Sequence, residues 1–171
     1  MNNPPRIPHT TFVALGSNVG DSATILRRAI ASLQELSAQP LTVSSLWQTT
    51  PVDCPPGSPP FVNAVVALTP RGDETPESFL KKLLAMEKEF GRRPKKVLNE
   101  PRRLDLDLIA FGHETRSTSE ITLPHPRAHE RRFVLQPLSE IAPDLLLPKQ
   151  TATTIQLLAR LSTREKLVKL P

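Results

Sequence analysis

Two kinds of apolar periodicity alternate along this chain in an order that few folds can satisfy. Four segments are short, apolar and rich in β-branched residues, as is typical of strands, and they cover residues 11–15, 41–49, 61–68 and 103–111. Two further segments carry apolar residues at helical spacing, one after Asp21 or Ser22 and one after Thr75-Pro76. The order strand, helix, strand, strand, helix, strand predicts an α+β domain with a ferredoxin-like split βαβ core. In such a core an antiparallel sheet carries helices on one face.

The rest of the chain adds extensions to this core. From Gly112 onward the sequence is rich in His, Pro and Arg, and a helix is predicted over residues 154–161. The length of 171 residues suits one domain. The sequence shows no internal repeat and no linker. We predict a flexible N-terminal extension over residues 1–10, a single domain over residues 11–171, and a C-terminal extension of the core within it.

Proline is abundant, with 19 residues against 6 glycines, and five of the prolines lie between residues 51 and 60. So much proline suggests disorder, but 38% hydrophobic and 23% charged residues are ordinary values for a globular chain. The proline-rich segment has two open interpretations. It is either a polyproline ligand for a partner domain or an ordered loop over a binding site.

Several protein classes are excluded by what the sequence lacks. No apolar run approaches the ~20 residues of a membrane span, and residues 1–10 lack the apolar core of a signal peptide. The single cysteine, Cys54, cannot form an internal disulfide or a cysteine-based zinc site. The phosphate-binding pattern GxxxxGK[ST] does not occur, so the chain is not a P-loop protein. We therefore expect a cytoplasmic protein.

The net charge of +5 is concentrated in one segment. Residues 91–103 contain six basic side chains and one acidic side chain, whereas the remainder of the chain is balanced. A basic surface spread over the whole chain would favour nonspecific nucleic-acid binding. A concentrated segment favours a local anionic partner such as phosphates, although a solvated charged loop has the same composition.

The most informative short motif is Leu104-Asp105-Leu106-Asp107-Leu108. Side chains alternate across a strand, so the two aspartates share one face, roughly 6.5–7 Å apart, and the leucines face the core. Two carboxylates this close repel each other and need a cation. Salt bridges from neighbouring arginines would satisfy them. A Mg2+ site is the favoured interpretation of the pair, because Mg2+ takes one or two carboxylates together with waters and phosphate oxygens.

Other candidate residues are less specific when taken alone. Gly16-Ser17-Asn18 is a short glycine loop or a plain turn. His125 lies between two prolines and close to Arg131, where it is either an exposed loop histidine or a phosphate contact. Phe61 and Phe133 are either core residues or aromatics that bind a ligand.

Five motifs then occur in order, and their combination is highly specific. They are VALGSN at 13–18, Thr49 through Pro51, FVNA at 61–64, PRRLDLD at 101–107, and LPH at 123–125 with RRF at 131–133. The set resembles the 6-hydroxymethyl-7,8-dihydropterin pyrophosphokinase family of folate biosynthesis over about residues 11–150. The fold of that family agrees with the split βαβ order indicated by the periodicities.

The resemblance implies an ATP-dependent pyrophosphokinase. Such an enzyme transfers pyrophosphate from ATP to the hydroxymethyl group of the reduced pterin and releases AMP. The implied partners are ATP and 6-hydroxymethyl-7,8-dihydropterin, with no nucleic acid and no membrane, and we expect a monomer.

The resemblance also implies roles for individual residues. Two Mg2+ ions that bridge the ATP phosphates are held by Asp105 and Asp107. The implied catalytic residues contact the triphosphate or the transferred group, and they are Arg92, Arg102, His125 and Arg131. The pterin ring lies between Phe61 and Phe133, its polar edge meets Asn63, and backbone contacts come from Thr49 and Val52. Further positions near the nucleotide are Glu87, Leu108 and Thr122.

The sequence departs from the pattern of some members in the loops around ATP. Leu98 and Asn99 stand where some members have an arginine and a tryptophan, and Pro94 occupies a position that can be basic. Glu120 and Pro126 replace a basic residue and a tyrosine. These changes bear on how a loop closes over ATP more than on the reaction.

Two other functions compete with the pyrophosphokinase. The first is an RNA-binding ferredoxin-like module that uses the basic segment, but such modules stack bases on strand aromatics and this strand carries acids instead. The second is an inactive family member that serves as a scaffold, which the intact aspartate pair, His125 and Asn63 argue against. We further predict that residues 50–60 and 91–102 move over the substrates.

Overall fold

The computed structural model describes residues 9–51, 53–94, 96–98 and 100–171. The first half of the chain contains strands β1 to β4 and helices α1 and α2. These elements are β1 (Thr11–Ser17), α1 (Ser22–Glu35), β2 (Thr42–Val43), β3 (Trp47–Thr49), β4 (Phe61–Leu68) and α2 (Pro76–Glu89). The second half contains β5 (Asp105–Phe111), β6 (Arg116–Ser117), β7 (Thr122–Leu123), a 3-10 turn (Ala128–Glu130), α3 (Arg132–Ile141), α4 (Thr154–Arg160) and β8 (Leu167–Lys169).

The main sheet has the strand order β5-β1-β4-β3-β8, and β2 also pairs with β4. All of these pairings are antiparallel. When β2 and β3 are counted as one broken strand, the four strands from β1 to β5 follow the order expected of the split βαβ pattern. The predicted fold class is therefore confirmed.

The two core helices begin at residues that the sequence marks as caps. The side chain of Asp21 accepts a hydrogen bond from the amide of Thr24. Thr75, which directly precedes Pro76, forms a capping box with Ser78. Gly91 follows α2 with a φ of +94°, a conformation that favours glycine at a helix end. Both helices pack on the same face of the sheet as predicted. The buried leucines Leu106 and Leu108 of β5, and Leu104 just before it, belong to that core.

The opposite face of the sheet is covered by α3, which the sequence analysis did not predict. Val134 and Leu138 of α3 pack with Ala14, Val65 and Ile109 of the sheet. Pro137 lies inside this helix and obscured its periodicity. Helices therefore lie on both faces once the C-terminal part is included.

Other element boundaries also differ from the predicted ones. The strand expected over 41–49 is two short strands, and the strand expected over 103–111 begins at Asp105. β1 continues through Gly16 and Ser17, because Gly16 pairs with Asn63 on one side and with Asp105 on the other. β8 was not predicted, and the C-terminal helix ends at Arg160. Among the described residues no helix is long and apolar enough to cross a membrane.

Only part of the predicted N-terminal extension can be compared with the structure, since residues 1–8 lie outside the described residues. The ring of His9 lies 5.0 Å from that of Phe111, measured between centroids. The carbonyl of Thr10 accepts a hydrogen bond from Gly112. The predicted flexibility of residues 1–10 and the single-domain division stay predictions.

Candidate active site

The alternation of β5 presents Asp105 and Asp107 on the sheet face opposite α1 and α2. Both side chains are partly buried, and they lie beside Gly16 and Ala14 of the central strand β1. Burial and the charge of Asp105 raise the pKa of Asp107 to about 7. An ionised pair is thus unfavourable until a cation is added, as expected for a site that binds metal.

Asp105 is already paired with two arginines of the basic segment. Its Oδ2 lies 2.8 Å from Nη1 of Arg102, and its Oδ1 lies 3.4 Å from Nη1 of Arg92. Arg92 also forms an ion pair with Glu87, whose side chain is only 1% exposed and accepts a hydrogen bond from the amide of Leu106. Glu87 therefore anchors Arg92 next to the aspartates.

His125 contributes a neutral donor. Burial and the charge of Arg131 lower the pKa of His125 to about 4. Its Nδ1 accepts a hydrogen bond from the amide of Arg127 at 3.2 Å. A neutral imidazole with an accepting Nδ1 carries its proton on Nε2, so that N–H is the group His125 can offer to an anion.

The other end of the site combines aromatic rings and amide groups. Asn63 is 5% exposed, and its Nδ2 donates to Oγ1 of Thr49 at 2.8 Å. A Cβ atom on Gly16 would lie 3.0 Å from Oδ1 of Asn63, so any larger residue there would have to displace the Asn63 side chain by a few tenths of an ångström. The guanidinium of Arg131 lies 5.5 Å from the ring centroid of Phe133.

One cleft of about 370 Å³ connects these groups. The predicted residues that line it are Thr49, Phe61, Asn63, Arg102, Asp105, Asp107, His125, Arg131 and Phe133. They come from β3, β4, the loop before β5, β5 itself, the loop after β7 and the start of α3. A charged end and an aromatic end therefore share one cavity.

Four predicted residues do not line the cleft. Glu87 and Arg92 lie next to it through their contacts with Leu106 and Asp105. The side chain of Leu108 is buried in the core, and Thr122 is exposed in the β6–β7 hairpin. Their nucleotide contacts stay predictions, as does the pterin contact of Val52, which lies outside the described residues.

The cleft also contains residues that the sequence analysis missed. Thr163 and Glu165 reach it from the C-terminal segment, and Asp53 and Cys54 from the proline-rich loop. The C-terminal segment has neither a motif nor a clear periodicity, so only its pairing with β3 brings it to the site.

A comparison with known protein families agrees with this geometry. A sequence model of the 7,8-dihydro-6-hydroxymethylpterin-pyrophosphokinase family matches residues 12–143. The chain belongs to this family. The matched range contains every predicted site residue and ends before the C-terminal segment that carries Thr163 and Glu165. Membership in the pyrophosphokinase family gives no support to the RNA-binding alternative.

Individual relatives are similar over most of their length. A protein of Synechocystis sp. named 2-amino-4-hydroxy-6-hydroxymethyldihydropteridine pyrophosphokinase is 38% identical over 154 residues, which cover 90% of this chain and 77% of that protein. A Bacillus subtilis protein of the same name is 38% identical over 146 residues, with 85% of each chain covered.

Solved structures share the fold at low identity. The Plasmodium falciparum HPPK-DHPS crystal structure with pteroate superposes with a TM-score of 0.70 at 13% sequence identity. The match covers 93% of this chain and 43% of that longer one. At this identity the comparison supports the fold alone.

Proposed function

We propose that this chain transfers pyrophosphate from ATP to the hydroxymethyl group of 6-hydroxymethyl-7,8-dihydropterin, giving AMP and the pterin pyrophosphate. It is thus an ATP-dependent diphosphotransferase of folate biosynthesis. The observation that carries the proposal is the shared cleft, in which an aspartate pair with cations lies at one end and two phenylalanines with Asn63 lie at the other. This arrangement can hold a polyphosphate and a flat heterocycle side by side.

The phosphate end suits a triphosphate with its metal ions. Arg102 and His125 line the cleft and Arg92 adjoins it, so three donors converge on the region of the aspartate pair. Transfer of a phosphoryl group demands little covalent chemistry from a protein, and positioning with charge neutralisation does most of the catalysis.

The aspartate pair fits Mg2+ on the chemistry of its donors. Two oxygen ligands from one strand leave room for waters and phosphate oxygens, which is the environment Mg2+ prefers. No further His, Cys, Asp or Glu forms a metal-binding group with them among the described residues, so the substrate would complete the coordination. We propose that Asp105 and Asp107 hold two Mg2+ ions. When bound, the ions supply positive charge to the phosphate oxygens of ATP.

The aromatic end suits the pterin. Phe61 and Phe133 offer apolar rings to the faces of a flat ring system, and Asn63 offers amide groups to its polar edge. Thr49 orients Asn63 by accepting from its Nδ2, which leaves Oδ1 available. The pterin hydroxymethyl group would then point toward the aspartate end, where Arg131 lies between the two regions.

The reaction follows from this placement. The hydroxyl oxygen of the pterin attacks the β-phosphorus of ATP and gives up its proton to water, the bond from that phosphorus to the α,β-bridging oxygen breaks, and AMP leaves. Arg102, Arg92 and His125 hold the triphosphate so that attack and departure lie in line, and Arg131 stabilises charge on the transferred group. Cytoplasmic location and a monomeric state stay predictions from the sequence.

A direct assay tests the proposal. The protein is incubated with ATP, Mg2+ and the hydroxymethyl-dihydropterin, and the products are separated by mass spectrometry. We expect AMP and a pterin pyrophosphate in equal amounts, and no AMP when the pterin is omitted. AMP release that is independent of the pterin would contradict the proposal.

A further inference from the structure

One cationic side chain in the cleft has no part in the reaction described above. The arginines that line the cleft are Arg102, Arg127 and Arg131. Arg102 is paired with Asp105, and the guanidinium of Arg131 lies near the ring of Phe133. Arg127 makes neither of these contacts. It is the one arginine among the described residues of the cleft that still lacks a role.

The backbone around Arg127 is fixed beside the strand that carries the aspartates. The amide of His125 donates to the carbonyl of Ile109 in β5 at 2.9 Å, and the amide of Glu130 donates to the carbonyl of Arg127 at 3.1 Å. Between them Ala128 is fully buried and belongs to the core beneath α3. The turn therefore presents the side chains of His125 and Arg127 from a well-anchored backbone.

The guanidinium of Arg127, in contrast, is held loosely. Its Nε lies 3.8 Å from Oε2 of Glu130, and both side chains are more than half exposed. An exposed ion pair of this length contributes little to stability, so a more highly charged ligand can displace it. Burial, the charge of Arg131 and that of Arg127 lower the pKa of His125, which is consistent with a guanidinium close to the imidazole.

The charge balance of the cleft favours a role for this cation when ATP binds. Six acidic side chains line the cleft against three arginines, and they are Asp53, Glu100, Asp105, Asp107, Glu130 and Glu165. The phosphates of ATP add further negative charge, and each cation that reaches them lowers the repulsion. A guanidinium suits this task, because its N–H donors bind phosphate oxygens in pairs.

We propose that Arg127 is a phosphate-binding residue, which exchanges its contact with Glu130 for the triphosphate of ATP. Its guanidinium donates to phosphate oxygens from the same turn that presents Nε2 of His125. This inference rests on the proposed function and adds a contact to those of Arg92, Arg102 and His125. Because Glu130 holds the guanidinium in the free protein, it competes with the nucleotide.

Binding of a nucleotide that cannot react tests the contact apart from chemistry. Dissociation constants for α,β-methylene ATP with Mg2+ are measured by calorimetry on wild type, Arg127→Gln and Arg127→Lys. In Arg127→Gln the constant should rise about 10-fold or more, as expected when a hydrogen bond to a charged group is lost. Arg127→Lys keeps the charge without the paired donors, so its constant should lie between the other two.

Steady-state kinetics separate a phosphate contact from structural support. The bond to Nδ1 of His125 comes from the backbone amide of Arg127, so both substitutions retain it. In Arg127→Gln the KM for ATP should rise, whereas the KM for the pterin at saturating ATP should stay that of wild type. Arg160→Gln, at the exposed end of α4, is the matched control and should equal wild type in every readout.

Replacement of Glu130 tests the exchange itself. Glu130→Gln should lower the dissociation constant of α,β-methylene ATP by about two- to fivefold, the range expected when an exposed ion pair no longer competes. The same substitution should have a smaller effect when Arg127→Gln is also present, because the two residues act on each other.

Three results overturn this inference. The first is an unchanged dissociation constant for α,β-methylene ATP in folded Arg127→Gln. The second is an equal rise in the KM values of ATP and the pterin, and the third is a Glu130→Gln effect of the same size with and without Arg127. Each leaves the proposed function intact if wild type still releases AMP in the presence of the pterin. A wild type that binds no α,β-methylene ATP would instead overturn the proposed function itself.

Discussion

Asp105 and Asp107 occupy equivalent positions on one strand but differ in their surroundings. Asp105 is paired with Arg92 and Arg102, whereas no ion pair to Asp107 is present among the described residues. Burial and the neighbouring carboxylate raise the pKa of Asp107 to about 7. The pair thus combines one neutralised carboxylate with one that still requires a cation. Its presence therefore lowers the free energy of unfolding of the ligand-free protein.

Replacement of Asp107 should separate activity from stability. We expect Asp107→Asn to slow AMP release by at least about 10²–10³-fold, the loss typical when one electrostatic contributor to a transition state is removed. The variant should also be more stable than wild type without ligands by roughly 0.5–2 kcal/mol, because the repulsion from Asp105 is gone. Activity assays and urea unfolding measure the two effects. Asp73→Asn, in the exposed turn before α2, is the matched control. Full activity in Asp107→Asn would contradict the metal assignment.

His125 should make the fold sensitive to mild acid. Its pKa is about 4 in the folded protein and near 6.5 in an unfolded chain, so the unfolded state binds more protons between these values. The free energy of unfolding should therefore fall as the pH drops from about 6.5 to 4, by at most about 2–3 kcal/mol. This decrease should be smaller in His125→Gln. NMR titration of the imidazole gives the pKa directly, and bound ATP should raise it because phosphate favours the charged form. A free-protein pKa of 6.5 would contradict the argument.

Among the secondary-structure elements, β8 is held to the sheet by a cluster that surrounds Glu140 of α3. Glu140 accepts hydrogen bonds from Nε1 of Trp47 and from Oγ of Ser45, the latter at 2.8 Å, and lies 3.6 Å from Nζ of Lys169. One carboxylate therefore links α3, β3 and β8. These are the elements that surround Glu165.

Removal of this link should loosen the C-terminal segment. We expect Glu140→Ala to lower the free energy of unfolding by about 1–2 kcal/mol, since a charge-assisted hydrogen bond to Trp47 is lost with its neighbours. Hydrogen exchange should accelerate in residues 163–169 more than in β1. Glu114→Ala, which removes a partly exposed carboxylate paired with Arg116, should leave exchange in that segment unchanged. Equal exchange in both variants would show that the cluster does not hold β8.

The elements that could be predicted from sequence are those with clean periodicity or a cap. β4 and α2 match their predicted starts because apolar spacing, Thr75-Pro76 and Gly91 all agree. α3 could not be predicted because Pro137 interrupts its pattern, and β8 because three residues carry no measurable periodicity. The site residues likewise divide into those that could be predicted from sequence and those that could not. The aspartate face follows from strand alternation, whereas Glu165 reaches the cleft only through a pairing formed across 116 residues of chain.

Across the whole molecule, Asn18 joins the two loops that flank the cleft. Its Oδ1 accepts from the amide of Arg102 at 2.7 Å, and its Nδ2 donates to the carbonyl of Pro59 at 3.3 Å. The proline-rich loop and the basic loop are therefore coupled through one buried amide at the end of β1. The proline content restricts the first of these loops and lowers the entropy lost when it orders around a ligand.

This coupling gives a prediction about substrate binding. Hydrogen exchange in residues 50–60 and 91–102 should slow when Mg2+, α,β-methylene ATP and the pterin are added together, because both loops close over the ligands. In Asn18→Ala, each ligand should slow exchange only in the loop nearest to it. Equally slow exchange in both segments with and without ligands would contradict closure.

The central claim is that both outer phosphates of ATP move together to the pterin hydroxyl. Parallel reactions with ATP labelled at the β-phosphorus and at the γ-phosphorus test it most directly. Either label should appear entirely in the pterin product, and AMP should be unlabelled. A product that carries only the γ label, together with labelled ADP from the β-labelled reaction, would contradict it.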